Sequence, residues 1–339
     1  MKIILDAMGG DNAPEAPVLG ALDAVKTYGA DIILVGRGEE ILEVLKKNGL
    51  ETLPEGIEIA HADDVVDMHD DPGTVLHKRK NSSMVIGLKM LADGKGDAFV
   101  SAGSTGALLT GATLLVKRVR GIRRAAMAPS MPTKAGTKVI VCDCGANAEC
   151  TPDQLVQFAH MGSLYAQRML HVDAPRVALL NNGTEEHKGT PLQQETYQLL
   201  KNTQLNFVGN VEASQVLFGE VDVIVTDGFS GNILLKSIEG TAKFLLKAIK
   251  GVLMSGLKNK LAALMIKNDI GALKAMMDPN ETGGTALLGI SKPVIKAHGS
   301  SEAPAIVNAI RQAAEFAQSG FIQTIAESVE TMQVEITQS

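Results

Sequence analysis

Two segments of the chain match each other residue type for residue type: Val100-Ser-Ala-Gly-Ser-Thr-Gly-Ala-Leu-Leu109 and Val225-Thr-Asp-Gly-Phe-Ser-Gly-Asn-Ile-Leu234. In register, both read valine, hydroxyl, any residue, glycine, any residue, hydroxyl, glycine, any residue, then two aliphatics. Each follows a β-branched apolar run and opens an apolar helical pattern, the layout of a strand feeding a glycine loop at a helix N-terminus. Such a loop aims backbone N–H groups and the positive helix end at one point, where a phosphate or carboxylate is held. Gly103, Gly106, Gly228 and Gly231 let the backbone come close to an anion. Ser101, Ser104, Thr105, Asp227, Ser230 and Asn232 surround them with short polar groups. Either loop alone reads equally well as an ordinary strand-to-helix turn. Two of them, beside further Gly/Asp/Asn turns, favour a site for an anionic substrate.

The elements that must position these loops alternate along the chain. Short apolar or β-branched runs occur at 2–6, 31–35, 57–60, 98–100, 138–142, 176–180, 206–208 and 221–225. Helical patterns fill most of the gaps, at 18–28, 39–47, 84–93, 153–169 and 192–202. Such alternation predicts a mostly parallel sheet with helices on both faces, whose ligands bind beyond the carboxyl ends of the strands. The polar turns expected on that rim are Asp6-Ala-Met-Gly9-Gly10-Asp11-Asn12, the two matched loops, Asp143-Cys-Gly-Ala-Asn147 and Asn181-Asn-Gly-Thr-Glu185-Glu-His-Lys188-Gly189. None is a dinucleotide fingerprint, and no P-loop occurs.

Composition bounds the classes. With 339 residues, 45% hydrophobic and 21% charged, the chain is globular and long enough for a large core. Aromatic content of 3%, no Trp and a net charge of −6 argue against a nucleic-acid surface. There is no signal-peptide pattern and no apolar run of membrane-spanning length, so a cytoplasmic protein is expected. Cys142, Cys144 and Cys150 are too few and too clustered for a disulfide framework. They read as inert cysteines, and no spacing demands a metal. Residues 1–330 read as one unit, with two lobes around a cleft possible, and 331–339 as a frayed tail. One segment, 238–277, breaks the alternation with Leu245, Ile249, Leu253, Leu257, Leu261 and Met265 at every fourth position and lysines between them. A strict four-residue period drifts by about 40° per step around a straight helix, so a break near Ser255-Gly256 is expected. The segment reads either as a helix pair packed on the sheet or a partner subunit, or as a basic amphipathic surface for membrane or acyl chain at Leu253, Leu257, Leu261 and Met265.

In order along the chain, Ile4-Leu-Asp6-Ala-Met-Gly-Gly-Asp11-Asn-Ala-Pro14, Lys80-Asn-Ser-Ser-Met84, Ser101-Ala-Gly-Ser-Thr-Gly-Ala107, Asp143-x-Gly-Ala-Asn147, Gln157-Phe-Ala-His-Met-Gly-Ser163, Gly183-Thr-Glu185-x-x-Lys188-Gly189, Asp227-Gly-Phe-Ser-Gly-Asn232 and Val294-Ile-Lys-Ala-His-Gly-Ser300 resemble the bacterial phosphate acyltransferases of the PlsX type. The resemblance runs from residue 1 to about Val329. It departs at Ser104, where the family usually has Asn, and at Ser230, where it has Thr. It implies attack of inorganic phosphate on the thioester of a fatty acyl group carried by acyl carrier protein, giving acyl phosphate for phospholipid synthesis. It further implies an αβα sandwich like the isocitrate and isopropylmalate dehydrogenases, a homodimer, no cofactor, peripheral membrane association, and hand-over of the product to a membrane glycerol-phosphate acyltransferase.

Phosphate is itself a competent nucleophile, so the site must hold it beside the carbonyl and neutralise an oxyanion. Lys188, in a Lys-Gly pair, is the leading candidate for the cation, against the plain reading of an exposed loop lysine. Asp6 and Asp11 flank Gly9-Gly10 and orient the site or only the local turn. Asn147 and Asn232 are amide donors or helix caps, and His298 is a general acid or a structural histidine. An acidic carrier needs a basic patch on this net-negative chain. Lys117-Arg118-x-Arg120-Gly-Ile-Arg123-Arg124 is the first choice and His77-Lys78-Arg79-Lys80 the second. A phosphate acetyltransferase using acyl-CoA and a non-catalytic membrane or scaffold protein are the competing readings.

Overall fold

The computed structural model describes the backbone of residues 1–276 and 283–338 and the side chains of 1–271 and 283–332. Twelve strands are described: β1 (Lys2–Asp6), β2 (Asp31–Gly36), β3 (Ile57–His61), β4 (Ala98–Ser101), β5 (Ala126–Ala128), β6 (Ser130–Pro132), β7 (Lys138–Cys142), β8 (Val177–Asn181), β9 (Phe207–Glu212), β10 (Val223–Val225), β11 (Thr285–Leu288) and β12 (Val294–Lys296). They form two sheets, in the orders β3-β2-β1-β4-β12-β11-β5 and β6-β7-β10-β8-β9. The runs β3 to β12 and β7 to β9 are parallel, whereas β11, β5 and β6 pair antiparallel. The expected single parallel sheet is therefore two sheets, each with an antiparallel end.

These ends join the two. β5 and β6 are separated only by Pro129, so the chain steps from one sheet to the other there. Met127 pairs with Leu287 in the first sheet, and its carbonyl accepts from Cys144 just beyond β7 of the second. Alternation along the strands then sorts side chains to two faces. Ile3, Leu5, Val100, Ile140, Cys142, Val223 and Val225 share one core, while Ile4, Phe99, Val139, Val141 and Ile224 share the other. Each core runs under both sheets. The middle layer is thus continuous in packing, with helices on either face, and the three-layer arrangement is met in its coarse form.

The helices begin where their sequences say they should. Thr151 and Thr190 form capping boxes with Gln154 and Gln193, each followed by proline at the first helical position. Asp227 caps the helix Gly228–Met254, accepting from the Ser230 amide at 2.8 Å. Beyond it lie helices Leu257–Met265 and Lys267–Met276, with the expected break at Ser255-Gly256; Met277 lies outside the described residues. The final helix runs Phe321–Gln338.

The two halves are tied by aromatic contact as well. Tyr165, on the helix Pro152–Leu170 against the second sheet, meets Phe316 and Phe321 edge-on at 5.4 and 6.0 Å. Phe316 belongs to Ala303–Gln318, which crosses Glu15–Tyr28 over the first sheet. That crossing is close at Gly20, where an added Cβ would stand 2.6 Å from Ile306 Cβ. Since Ile306 Cβ is fixed to its backbone, Gly20→Val should force the helices apart and cost on the order of 1–3 kcal/mol. A lowered urea midpoint at unchanged m-value is the expected readout; an unchanged midpoint would show that the crossing yields freely.

Candidate functional site

On the rim of the first sheet, Asp6 ends β1 and Ser101 ends the neighbouring β4. The Ser101 hydroxyl donates to Asp6 Oδ2 at 2.7 Å, and the Gly103 amide donates to the same hydroxyl at 3.0 Å. The loop after β1 closes over this pair. A Cβ at Gly9 would lie 2.6 Å from Asp6 Oδ2 and 2.8 Å from the Gly103 nitrogen, and Gly10 sits at φ +101°, where a side chain is strained. Asp11 N–H donates to the Gly299 carbonyl at 2.8 Å, and Asn12 Nδ2 reaches the carbonyls of Ser300 and Ser301, both at 3.2 Å. Burial pushes the Asp6 carboxyl above the usual range, while bonds from Ser83, Ser101 and the Met8 and Gly9 amides pull against it.

A lysine completes this rim. Lys296 ends β12 directly beside Ser101 and is only 8% exposed. Its ammonium donates to the Ala102 carbonyl at 3.3 Å and to the Ala297 carbonyl. Burial pulls its pKa down to about 8, against the raising pull of Asp6 and Asp11. Two residues on, His298 Nδ1 lies 2.9 Å from Ser300 Oγ. Desolvation, then the positive charge of Lys236, lowers the imidazole, with Glu239 opposing, so it is neutral around pH 7.

The rim of the second sheet repeats the logic with other residues. Buried Asp143, just beyond β7, accepts from the Met127 amide (2.8 Å), the Asn147 amide (2.7 Å) and Asn147 Nδ2 (2.9 Å). Burial raises its carboxyl and these bonds oppose the rise. The second matched loop rests on it: a Cβ at Gly228 would be 2.6 Å from Asp143 Oδ2, and Gly231 packs against the Asp143 carbonyl. Asn147 also donates to the Ala125 carbonyl at 2.8 Å, so its amide is engaged in holding the loop.

Between the sheets opens a cavity of about 650 Å³. Thr105 from the first matched loop and Asn232 from the second both line it, together with Lys236, Glu239, Lys296 and His298. Met127, Pro129, Met131, Leu217, Leu235 and Ile238 give it an apolar wall. A polar end with a buried cation and an apolar extension suits a ligand with an anionic head and a hydrocarbon tail. A second hollow, of about 590 Å³, is lined by Asp11, Glu15, Glu40, Glu43 and Glu302 with Lys47. Its carboxylates repel anions, so the first cavity is the better fit for an anionic ligand.

The predicted residues divide accordingly. Asp6, Ser101, Gly9, Gly10 and Gly103 build the first rim behind the cavity; Asp11 joins it through Gly299. Thr105, Asn232 and His298 line the cavity, whereas Ser104, Gly106, Asn147, Asp227, Gly228, Ser230 and Gly231 shape the loops around it. Lys188 lies in the loop after β8, its carbonyl accepting from Asn181 Nδ2 at 3.2 Å, and is not among the lining residues. Lys296, two residues before His298, joins the cavity lining without having been singled out by its sequence context; its place follows from the register of β12 beside β4.

Among the basic clusters, Arg118, Arg120, Arg123 and Arg124 are exposed, with Arg123 paired to Asp153. They lie between the helical run 105–116 and the cavity-lining Met127, and none of them lines the cavity itself. Arg79 is clamped by Asp70 at 2.9 Å and Asp64 at 3.2 Å, while Lys78 is exposed. Leu257 and Met265 are 82% and 86% exposed, Leu261 is exposed, and Leu253 is half-buried. Burial pushes the Cys142 and Cys144 thiols up, and Cys150 to about 12, as inert cysteines require. Among the described residues no His/Cys/Asp/Glu group is arranged to hold a metal.

Solved structures of similar shape place the fold. A phosphotransacetylase from Streptococcus pyogenes covers 94% of each chain at a TM-score of 0.64 and 18% identity. A 4-hydroxythreonine-4-phosphate dehydrogenase from Klebsiella pneumoniae covers 94% of this chain and 99% of its own at 0.56 and 14%. The class is therefore defined by fold: a two-sheet α/β architecture shared with these proteins. The family model described as "Fatty acid synthesis protein" matches residues 1–324. A protein from Oceanobacillus iheyensis named Phosphate acyltransferase is 45% identical over 332 residues, 98% of both chains. Its namesake from Acetivibrio thermocellus is 45% identical over 336 residues, covering 99% of this chain and 98% of its own. The chain belongs to the phosphate acyltransferase family, a family of acyltransferases.

The buried ammonium carries a pH signature. Lys296 has a lower pKa folded, about 8, than unfolded, 10.5, so between these values the unfolded chain binds more protons and stability rises with pH. The unfolding free energy of the parent minus that of Lys296→Met should therefore grow by about 2 kcal/mol between roughly pH 7.5 and 10. Urea titrations at both ends check this, and a flat difference would show the ammonium to be solvated.

Proposed function

We propose that the chain transfers a fatty acyl group from the thioester of acyl carrier protein to inorganic phosphate, releasing acyl phosphate and the free carrier thiol. The supporting observation is the cavity that sets Lys296, Thr105, Asn232 and His298 at one end of an apolar wall. Phosphate sits against the Lys296 ammonium and the Thr105 helix start, and the acyl chain lies along Leu235, Ile238 and Met131. A phosphate oxygen attacks the thioester carbonyl. Lys296 and the loop donors stabilise the oxyanion, the C–S bond breaks, and the proton of the monohydrogen phosphate passes to the leaving sulfur. Neutral His298 at the cavity edge is suited to relay it. Asp6 and Asp11 act indirectly, by holding Ser101 and the loop at Gly299.

The product carries one hydrocarbon chain and a doubly charged head, so it partitions to a membrane surface, where a glycerol-phosphate acyltransferase would consume it. No described helix is long and apolar enough to cross a membrane. Exposed Leu257, Leu261 and Met265 on the helix after the Ser255-Gly256 break support a cytoplasmic enzyme in peripheral contact with lipid. Leu245 and Val252, also exposed, fit the homodimer that the resemblance implies. Leu253→Glu/Leu257→Glu should lose vesicle pelleting while keeping turnover; loss of turnover at intact vesicle binding would assign the segment to catalysis instead.

The deciding assay is phosphate-dependent release of carrier thiol from palmitoyl-acyl carrier protein. Turnover is expected in the parent, with Lys296→Met lowering kcat/KM by about a hundredfold or more, the range found for lost oxyanion donors. Lys188→Ala in parallel reports on the first-choice cation of the sequence: a collapse as deep as that of Lys296→Met would bring the 182–190 loop into the reaction. Turnover with palmitoyl-CoA and none with the carrier would move the activity to that of an acyl-CoA enzyme.

A further inference from the structure

The helix Gly228–Met254 does more than wall the cavity. At about 100° per residue, Lys236, Lys243, Lys247 and Lys250 fall within roughly 60° of arc, a stripe about 21 Å long. All four are exposed. Leu234, Ile238, Leu245 and Val252 fall about half a turn away on the opposite side. The stripe starts at the cavity, because Lys236 lines it. The positive charges of both Lys236 and Lys243 depress His298, so this face looks toward the polar end of the cavity and runs outward from it.

We propose that the lysine stripe is the docking track for the acidic carrier that delivers the acyl thioester. The proposal rests on the carrier-bound donor argued above. A chain of net charge −6 repels an acidic protein on average, so docking needs a local positive field, and that field must adjoin the opening through which the thioester enters. The lysines do, because Lys236 itself lines the cavity, whereas none of Arg118, Arg120, Arg123 and Arg124 does. A lipid surface fits the stripe less well. Lysines half a turn from Leu245 and Val252 cannot share one bilayer plane with them, so they stay in water when the apolar side is covered by lipid or by a second copy. Spacings of seven, four and three residues match a partner helix that presents carboxylates at helical intervals. Exposed pairs of this kind are individually weak, so the complex is fast and salt-sensitive, as a carrier that must dock and leave repeatedly requires.

The experiment compares the parent with Lys243→Glu/Lys247→Glu/Lys250→Glu, three exposed positions outside the cavity lining, with circular dichroism confirming the fold. Binding of fluorescently labelled holo acyl carrier protein is followed by anisotropy at low and high salt, beside steady-state kinetics. The variant should raise Kd, and KM for palmitoyl-acyl carrier protein, about tenfold or more, with the salt dependence largely lost and KM for phosphate unmoved. An unchanged Kd overturns the proposal. So does a rise in Kd in Arg118→Glu/Arg120→Glu/Arg124→Glu but not in the lysine variant, which would seat the carrier on the arginines. Loss of pelleting with phosphatidylglycerol vesicles at an unaltered Kd would make the stripe a lipid contact. A parent that binds the carrier but turns nothing over would count against the reaction and leave the docking surface standing.

Discussion

The hydrogen bond from Ser101 to Asp6 is the contact on which the site's geometry depends. It locks together the ends of two adjacent strands at 2.7 Å, and everything around it is placed by reference to that lock. The Gly103 amide turns in to the same hydroxyl, which sets the first matched loop and starts the helix at Thr105. Gly9 leaves no room for a side chain between the carboxylate and the loop, so the segment after β1 lies flat and carries Asp11 to Gly299. A neutral pair of apolar residues at 6 and 101 would pack, but would aim none of these amides. Burial pushes the carboxyl of Asp6 up, and the donors that surround it oppose the rise.

The second rim shows that the solution is general and its details are not. Asp143 does for the loop at Gly228 what Asp6 does for the loop at Gly103, using backbone amides and Asn147 in place of a serine hydroxyl. The strand orders differ, since β4 lies between β1 and the late strand β12 whereas β10 lies between β7 and β8. The matched loops are thus the same local answer reached in two sheets of different topology. Because β5 and β6 bridge the sheets, the two helix starts face one cavity, each contributing one lining residue.

Most of the layer structure was legible in the sequence, because buried parallel strands are β-branched runs and capped amphipathic helices announce themselves at Thr151, Thr190 and Asp227. What escaped was the part without such a signal. Ala126–Ala128 and Ser130–Pro132 are three-residue strands of small residues, methionine and proline; they are strands because each pairs with one neighbour, β5 with β11 and β6 with β7. Without them, one sheet rather than two is the natural reading. The candidate site is legible only through the pairing of its two loops, since glycines and short polar residues at a single strand end read equally well as an ordinary turn. Lys296 was not, because nothing local tells a lysine in an apolar run that it will be buried. That follows from its register beside Ser101, a contact 195 positions away along the chain.

The positive charges of the protein sort by depth, and depth decides what each can do. Lys296 is buried among carbonyls without an ion-pair partner among the described side chains, so water screens its charge less than that of a surface lysine, and it acts on whatever occupies the adjoining cavity. Lys236 spans the two regimes, lining the cavity while reaching Glu239 at 2.8 Å. Lys243, Lys247 and Lys250 stand in solvent, where a charge is screened within about 8 Å at physiological salt and serves to guide rather than to bind tightly. A single helix face therefore carries the cation gradient from water to the cavity mouth. The opposite face of the same helix is apolar at Leu245 and Val252, so under the proposed docking the element that meets the polar carrier would at the same time be free to rest on an apolar surface.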